Sequence, residues 1–529
     1  MLTQPIQSFL DSYERYADKK SAETTETYIH VDEIAAKVAR FYEKTRNLID
    51  YQEEHLLRKD AIKRALQQGM LFRTSDAKIA EPLVKKIIRA GHLPNDAIPE
   101  RKIGEVQQII NNLLSLVGYL KETRLPASER ADVVDWLLWM TVLAIEESLA
   151  PPVYDRLLAE LMFQTIRKDL AVTGRKVHES DKDLQLFIAV QRTLLRADKD
   201  QINYRLLKFS YPNWNTLSLE ELTEIAKDLP TVRRNIGFHL THPLRAAFVK
   251  LCNHYKTVFH LIGDVVFKTK KRNGDIRTVL ADDERLVINV QEAYKNRRQN
   301  ARKQLARLAV FSVISVFLSK VLIALAIEIP IDKYVTGDYS TMNTLINIIA
   351  PPILMVLILS FVRLPSKKNW ALVIKEVRSA VLNGTKKEYP MKIPKRKSII
   401  ADVTAWVLYF LLSVGIFFTV AKTLRDFGFS AANIVVFILF TSLVAATGIK
   451  IFNRSKELSL EKEKHTFLTF IFDLLIMPFV SVGKWLLAGL AKFKLLVLIA
   501  NLVDLPFHIF VGFIENLREF IRSKKEELY

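Results

Sequence analysis

The stretch LAVFSVISVFLSKVLIALAI, residues 308–327, decides the fold of this chain. It carries a single charge, Lys320, and is close to the ~20 residues that cross the hydrocarbon core of a bilayer. Three more apolar runs of similar length follow, over residues 342–362, 399–421 and 431–451. The sequence therefore predicts a polytopic α-helical membrane domain with four spans, over residues 308–452.

Basic residues beside the apolar runs predict the orientation of these spans. Six bases with no acid among them precede the first run, over residues 295–307, and the loop 363–398 is rich in lysine and arginine. Because positively charged loops stay in the cytoplasm, we expect the N-terminal half and this loop to be cytoplasmic. The six bases, which we also expect to contact anionic lipid on that side, are Lys295, Arg297, Arg298, Arg302, Lys303 and Arg307.

The net charge of +20 is also compatible with nucleic-acid binding, but its position beside apolar runs favours a membrane surface. No nucleic-acid partner is therefore expected. The chain has one cysteine, so it forms no internal disulfide, and no secretory signal is visible near the N-terminus. These features favour a bacterial inner (plasma) membrane, with the N-terminus and the C-terminus in the cytoplasm.

Residues 1–294 are predicted to form an all-α cytoplasmic domain, because charged and apolar residues recur there at helical spacing. Ser218 and Glu221 form a capping box that starts one of its helices. No sustained alternation with a period of two residues appears, so no sheet is expected. Residues 281–307 are predicted to form one helix that continues into the first span.

The C-terminal segment 466–529 holds two apolar stretches, residues 467–490 and 493–514, that carry polar residues at helical spacing. Asp473 lies in the first stretch, and Asp504 and His508 lie in the second. A polar stripe favours amphipathic helices at the membrane surface, followed by a basic tail. The alternative is that both helices span the membrane and the stripes line a polar path.

Lys320 lies in the middle of the first span, where an ionisable side chain is by default a functional candidate. A structural role is the favoured alternative. Pro351 and Pro352 lie at similar depth in the second span, and their missing N–H groups leave the carbonyls of Asn347 and Ile348 without helical partners. We expect the lysine amine to satisfy these carbonyls.

Histidines are concentrated in residues 238–264, together with Cys252, and raise the question of a metal site. Pro243 fits a helix start, which predicts a helix from 244 to about 267. On this helix Cys252, His254 and His260 point in different directions, so they cannot converge on one tetrahedral ion. His239 and His242 remain a possible two-ligand fragment. The sequence contains no P-loop, dinucleotide fingerprint or H-E-x-x-H motif, so no catalytic residue and no cofactor is predicted.

These observations favour a non-catalytic membrane protein, a scaffold or assembly factor that presents its helical domain to a protein partner. A transporter or channel is the first alternative, with a polar path near Lys320 and the C-terminal helices. The scarcity of glycine, 16 residues in 529, counts against it, since closely packed transporter helices favour small residues. The second alternative is a membrane-bound metal-dependent enzyme that uses His239 and His242.

Overall fold

The structure of this protein is a computed structural model, and it describes most of the chain. The described residues are 1–22, 27–31, 54–71, 78–122, 125–174, 178–272, 274–337, 340–360, 362, 365, 367–383, 388–393, 399–461 and 467–492. Within these residues the chain is almost entirely α-helical, as the sequence predicts. The chain divides into two compact units, which we describe separately.

The first unit, here called the helical unit, comprises residues 4–170 and 177–252 of the described chain. Its helices are α1 (Gln4–Ala22), α2 (Glu54–Leu71), α3 (Ala80–Arg89), α4 (Arg101–Glu122), α5 (Ala127–Leu149), α6 (Val153–Lys168), α7 (Glu179–Thr193), α8 (Lys199–Ser210) and α9 (Leu219–Leu240). One apolar core joins most of them, and Leu66, Ile110 and Leu137 are fully buried in it. Burial of the apolar faces of these helices stabilises the unit, because isolated helices of this length are only marginally stable in water.

The predicted capping box is confirmed at the start of α9. The Ser218 hydroxyl accepts a hydrogen bond from the Glu221 amide at 3.3 Å, and the Glu221 carboxylate accepts one from the Ser218 amide at 2.8 Å. Asp198 and Gln201 form the same motif at the start of α8. Each cap stabilises its helix by about 1 kcal/mol.

Helix α10 (Arg245–Lys271) matches the helix predicted to start beside Pro243, and the boundary between the two units falls within it, after Cys252. Residues 253–294, which the sequence analysis assigns to the N-terminal domain, pack instead within the second unit. The reason is tertiary: Tyr255 in α10 contacts the ring of Tyr389 edge-to-face at 4.8 Å, and Asp264 binds Arg297.

Cys252 is completely buried, and burial raises the pKa of its thiol to about 12. At pH 8 the thiolate fraction of the folded protein is then about one part in 10⁴, whereas an unfolded cysteine with a pKa near 8.5 is substantially ionised. We expect the native protein to leave a disulfide reagent such as DTNB unreacted, and the denatured protein to release about one equivalent of chromophore. Rapid release of one equivalent from the native protein would contradict this burial.

The second unit, here called the membrane unit, comprises residues 1–3, 171–176 and 253–492. Its elements after α10 are α11 (Ile276–Ala281), α12 (Asp283–Ile323), α13 (Thr341–Ser360), α14 (Lys367–Val381), α15 (Ile399–Asp426), α16 (Ala431–Ser455) and α17 (Phe467–Lys492). Four described helices are long and apolar enough to cross a membrane: Asp283–Tyr334, Thr341–Ser360, Val403–Asp426 and Ala431–Ser455. The prediction of four spans is confirmed by the length and the apolar composition of these helices, which are those of a membrane protein.

The first of these helices extends well beyond the apolar run on both sides. Its N-terminal part is the polar half of α12, as predicted from the basic segment before the span. Past Ile323 the helix continues through π-helical turns at Ala324–Glu328 and Asp332–Thr336, separated by a single α-helical turn, Ile329–Ile331. Such π-helical turns shift the side chains that follow onto a different face of the helix.

Helix α17 packs along α16 and also contacts α15. Gly483 lies against the main chain of Ser442, and the ring of Phe479 contacts Phe417 of α15 with ring centroids 5.0 Å apart. Both contacts lie near the middle of α15 and α16. Residues 467–492 are not among the four described helices that are long and apolar enough to cross a membrane, so the surface and the spanning alternatives for this stretch both stay predictions. Residues 493–529, with the second amphipathic stretch, lie outside the described residues.

The expectation that the chain contains no sheet is corrected by one pair of short strands, β1 (Leu170–Thr173) and β2 (Tyr389–Lys392). The Ile393 amide donates to the Thr173 carbonyl at 2.9 Å where the pair ends. Four residues are too few for alternation to stand out in a sequence. Gly174 follows β1 at φ +107°, and a side chain there would meet the Ile393 carbonyl.

Candidate functional site

The candidate site is a group of buried polar side chains in the membrane unit, here called the polar cluster: Lys320, Glu328, Asp332, Asn347, Ser430 and Asn433. Lys320, on α12, is completely buried, and its amine donates to a carboxylate oxygen of Glu328, two turns further along the chain. The amine also lies 5.0 Å from the centre of the Phe440 ring of α16. An ion pair and a cation–π contact together compensate a charge that apolar surroundings would otherwise strongly disfavour.

Glu328 connects the first span to α13. Its second carboxylate oxygen accepts a hydrogen bond from the side-chain amide of Asn347 at 2.8 Å, and both residues are buried. Pro351 and Pro352 follow one turn later on α13 and are buried as well. Lys320 is therefore satisfied by a side-chain carboxylate that sequence analysis did not name, whereas it was expected to meet the main-chain carbonyls of Asn347 and Ile348.

Asp332 connects the same helix to α16. One carboxylate oxygen accepts from the Ser430 hydroxyl at 2.7 Å, and the other accepts from the Asn433 side-chain amide at 2.5 Å. Ser430 is the N-cap of α16, and its hydroxyl accepts from the Asn433 main-chain amide at 3.2 Å. The carboxylate thus lies at the positive end of the α16 dipole, where a negative charge is favoured.

Two acceptors in the polar cluster have no hydrogen-bond partner. They are the side-chain oxygens of Asn347 and Asn433, each of which uses its amide nitrogen to bind a carboxylate. A buried oxygen that lacks a donor costs free energy comparable to a lost hydrogen bond. These two oxygens are the feature of the cluster that packing alone does not explain.

The other end of the bundle is apolar. Leu305 of α12, Met355 of α13, and Val444 and Ile451 of α16 form a buried cluster there, with further apolar side chains packed against it. The polar cluster lies past the middle of the first span and continues to its C-terminal end, so the two clusters lie at different depths. A water-filled path along the bundle would need polar side chains at the level of the apolar cluster as well.

Chemically, the polar cluster cross-links three helices. Removing either partner of a buried ion pair leaves an uncompensated charge, so each of Lys320 and Glu328 requires the other. Glu328 fixes α13 through Asn347, and Asp332 fixes α16 through Ser430 and Asn433. In lipid, where water cannot replace a lost partner, such bonds specify which helices meet and in which register.

Glu328 and Asp332 were missed because the apolar run was taken to end at Ile327. A signal was present in the sequence: the two acids are four residues apart with Pro330 between them, so they can share a face of a continuing helix. Their partners could not be predicted, because Asn347, Ser430 and Asn433 lie on other helices and only the tertiary fold brings them together.

The remaining residues singled out from the sequence are not brought into the polar cluster. Asp473 is exposed on α17, and Asp504 and His508 lie outside the described residues. His239 lies in the last turn of α9, and His242 accepts a hydrogen bond from the Leu244 amide through Nδ1 at 3.3 Å. Within the described ranges, no three histidine, cysteine or acidic side chains are grouped as metal ligands.

The six bases before the first span are placed on the polar half of α12. Arg297 donates to Asp264 of α10 at 2.8 Å, so this residue joins two helices of the membrane unit. The other five bases are exposed: Lys295, Arg298, Arg302, Lys303 and Arg307. These five remain candidates for contact with anionic lipid.

Comparisons with known proteins supply no further assignment. No protein-family model, no curated protein and no solved structure matches this chain.

Proposed function

We propose that this protein is a membrane-anchored scaffold that presents its helical unit to a protein partner in the cytoplasm. The observation that supports this most directly lies within the membrane unit, where α12 runs as one helix from Asp283 through the basic segment into the first span, to Ile323. A continuous helix transmits position and orientation, whereas a flexible linker does not. The membrane unit can therefore act as a rigid base.

The polar half of α12 is held laterally by α10 and α14. Arg378 of α14 binds Asp283 in a bidentate pair at 2.6 and 2.7 Å, and Arg297 binds Asp264 of α10. Asn369 of α14 is completely buried; it donates to the Tyr294 hydroxyl at 2.9 Å and accepts from the Leu460 amide at 2.6 Å. The exposed ion pairs contribute little individually, but the buried network fixes the geometry.

The apolar half of the same helix is fixed at its far end by the polar cluster. Glu328 and Asp332 bind α13 and α16, so the helix is constrained beyond the apolar run as well as before it. A transporter needs helices that rearrange around a central site, whereas this arrangement resists rearrangement. This favours a static anchor over an alternating-access machine.

Charge supports the proposed orientation in the inner membrane. The five exposed bases on α12 lie at the start of the first span, where each contributes about 1 kcal/mol of attraction to an anionic cytoplasmic leaflet. The helical unit then lies on the cytoplasmic side. It carries two strongly exposed aromatic side chains, Phe209 and Phe238, of the kind enriched at protein interfaces.

Site-specific photocrosslinking in living cells tests the scaffold role. A benzophenone amino acid is introduced at Phe209 or Phe238, and at Lys227, an exposed polar position on the same helix as Phe238, as a control. A scaffold is expected to give the same discrete adduct, with one protein, from one or both aromatic positions and none from Lys227. The absence of any adduct at both aromatic positions would contradict the proposal.

Labelling of single cysteines in intact cells tests the orientation. A membrane-impermeant maleimide is expected to label cysteines at Gly337 and Phe427, in the two short connectors, and to leave Lys250 and Lys303 unlabelled until the cells are opened. The reverse pattern would overturn the cytoplasmic assignment. A cysteine at Asp473 that is labelled from outside would favour a polar path.

A second candidate function is ion passage, and the specific observation that favours it is the pair of unpartnered oxygens on Asn347 and Asn433. Amide and carboxylate oxygens are ligands for hard cations. The apolar cluster at the other end of the bundle argues against an open path. Flux of sodium ions or protons into vesicles that contain the purified protein, absent in empty vesicles and lost in Asn347→Leu, would support ion passage over the scaffold.

A further inference from the structure

The helical unit contains a cavity of about 380 Å³ that the scaffold role does not use. Side chains from α2, α5, α6, α7 and α8 line it, and all of these helices belong to this unit. The volume is within the range of ligand-binding pockets, about 300–1,000 Å³. Both charged and aromatic side chains line the cavity, so the chemical class of a ligand can be inferred from them.

One carboxylate in the cavity is shared by several donors. Glu147 of α5 accepts a hydrogen bond from the Tyr204 hydroxyl at 2.5 Å and from the Lys208 amine at 3.1 Å, and it also pairs with the Arg156 guanidinium. Two cations therefore depend on a single negative charge. A guanidinium has five N–H donors and is most stable against a planar, bidentate acceptor.

Arg205 of α8 lies in the same wall, and its Nη1 is buried with no hydrogen-bond partner. Burial, and then the positive charge of Arg156, lower the pKa of this guanidinium to about 10. The pKa of Lys208 is lowered by the same two causes in the same order. Arg205 and Lys208 thus both lie close to the positive charge of Arg156.

Part of the cavity lining is apolar. Phe163 of α6 and Phe187 of α7 meet edge-to-face with ring centroids 6.3 Å apart, and Leu143 and Leu195 also line the cavity. Such a surface favours the hydrocarbon or aromatic body of a ligand over water. The lining of the cavity thus combines basic side chains with apolar ones.

Other acids in the lining limit the charge of the ligand. Glu146 pairs with Arg58 at 3.0 Å, and Glu160 accepts from Gln164 at 2.5 Å; Asp155 lines the cavity as well. Four acids and four bases face the cavity in total, so the lining has no excess of positive charge to compensate a ligand that carries several negative charges. This favours a monocarboxylate over a di- or triphosphate.

We propose that this cavity binds a small organic carboxylate with an apolar body, its carboxylate held by Arg205 and Arg156 and its body against Phe163 and Phe187. The assignment goes beyond the scaffold role and does not depend on it.

Isothermal titration calorimetry on the full chain in lipid nanodiscs tests the proposal, with empty nanodiscs as the blank. The probes are 4-phenylbutyrate, its neutral amide 4-phenylbutanamide, and inorganic phosphate. We expect saturable binding of 4-phenylbutyrate and at least about tenfold weaker binding of the amide, because a charged hydrogen bond is lost. Arg205→Gln is expected to weaken phenylbutyrate binding by a similar factor, and the exposed control Lys250→Gln is expected to leave it unchanged.

Comparison of the acid with the amide needs no variant, so a folding defect in Arg205→Gln does not decide the outcome. Three results would overturn the proposal. They are the absence of saturable phenylbutyrate binding, equal affinity for the acid and the amide, and binding of phosphate without binding of phenylbutyrate. A folded Arg205→Gln variant with unchanged affinity would overturn the role given to that residue.

Discussion

Replacing Lys320 with methionine is expected to lower the free energy of unfolding of the membrane unit by about 3–5 kcal/mol. Methionine matches the length of the lysine stem but removes the charge. Glu328, which is buried and bound to Lys320 and Asn347, would then be an uncompensated carboxylate in an apolar bundle. Unfolding in mixed micelles of increasing SDS content, followed by circular dichroism, measures this loss.

Two further variants separate loss of the ion pair from loss of the side chain. In Lys320→Met combined with Glu328→Gln both charges of the ion pair are removed, so we expect most of the lost stability to return. Lys333→Met, at an exposed position of the same helix, is the matched control and should change stability little. The ion-pair account fails if Lys320→Met is as stable as Lys333→Met, or if the double variant is no better than the single one.

Gly483→Ala is expected to separate α17 from α16 and to lower the stability of the membrane unit by about 1–3 kcal/mol. A methyl group at this position would lie 2.6 Å from the carbonyl carbon of Ser442 and 2.7 Å from the Cβ of Ala446. Because the first of these atoms belongs to the main chain, no side-chain rotation can make room. Small residues at such contacts are what allow membrane helices to approach closely.

Gly489→Ala is the matched control on the same helix, since nothing lies within 4 Å of the added methyl group. Alanine favours a helix by about 1 kcal/mol over glycine, so this control should be neutral or slightly stabilising. The same SDS titration measures both variants. If the two substitutions have the same effect, α17 does not pack against α16 in the way described.

Local features of this fold were predictable from the sequence. The apolar runs give the number of spans because crossing a bilayer is a matter of length and hydrophobicity. The start of α9 followed from Ser218 and Glu221, and the start of α10 from Pro243, because caps and prolines act within one helical turn. The long helix through residues 295–307 followed from uninterrupted helical spacing.

The partners within the polar cluster were not predictable, although Lys320 and Asn347 were both singled out. Asn347 of the second span joins the cluster through Glu328, whereas the lysine was expected to bind the main-chain carbonyls exposed by Pro351 and Pro352. Glu328 supplies a stronger partner because an ionised acceptor binds an amine more tightly than a carbonyl does. Its position depends on the π-helical turn Ala324–Glu328, which no local sequence signal announces.

The boundary between the two units was also beyond prediction, because it falls inside the continuous helix α10. The amino-acid composition changes near residue 295, where the basic segment begins. This change suggested that the N-terminal domain ends there. The packing of residues 253–294 is decided instead by contacts with α14 and β2, such as Arg378 with Asp283 and Tyr255 with Tyr389. Such contacts join residues far apart in the chain and leave no periodic signal.

The rigid continuity of α12 is the central claim, and a distance between two spin labels tests it most directly. Ile288 and Phe311 are both exposed on α12, and 23 residues of α-helix separate them by about 35 Å. With spin labels on cysteines at these two positions, pulsed electron–electron double resonance in lipid nanodiscs is expected to give one narrow distance distribution near about 35 Å. A broad distribution, or a second population at a shorter distance, would show a hinge before the membrane and would contradict the rigid anchor.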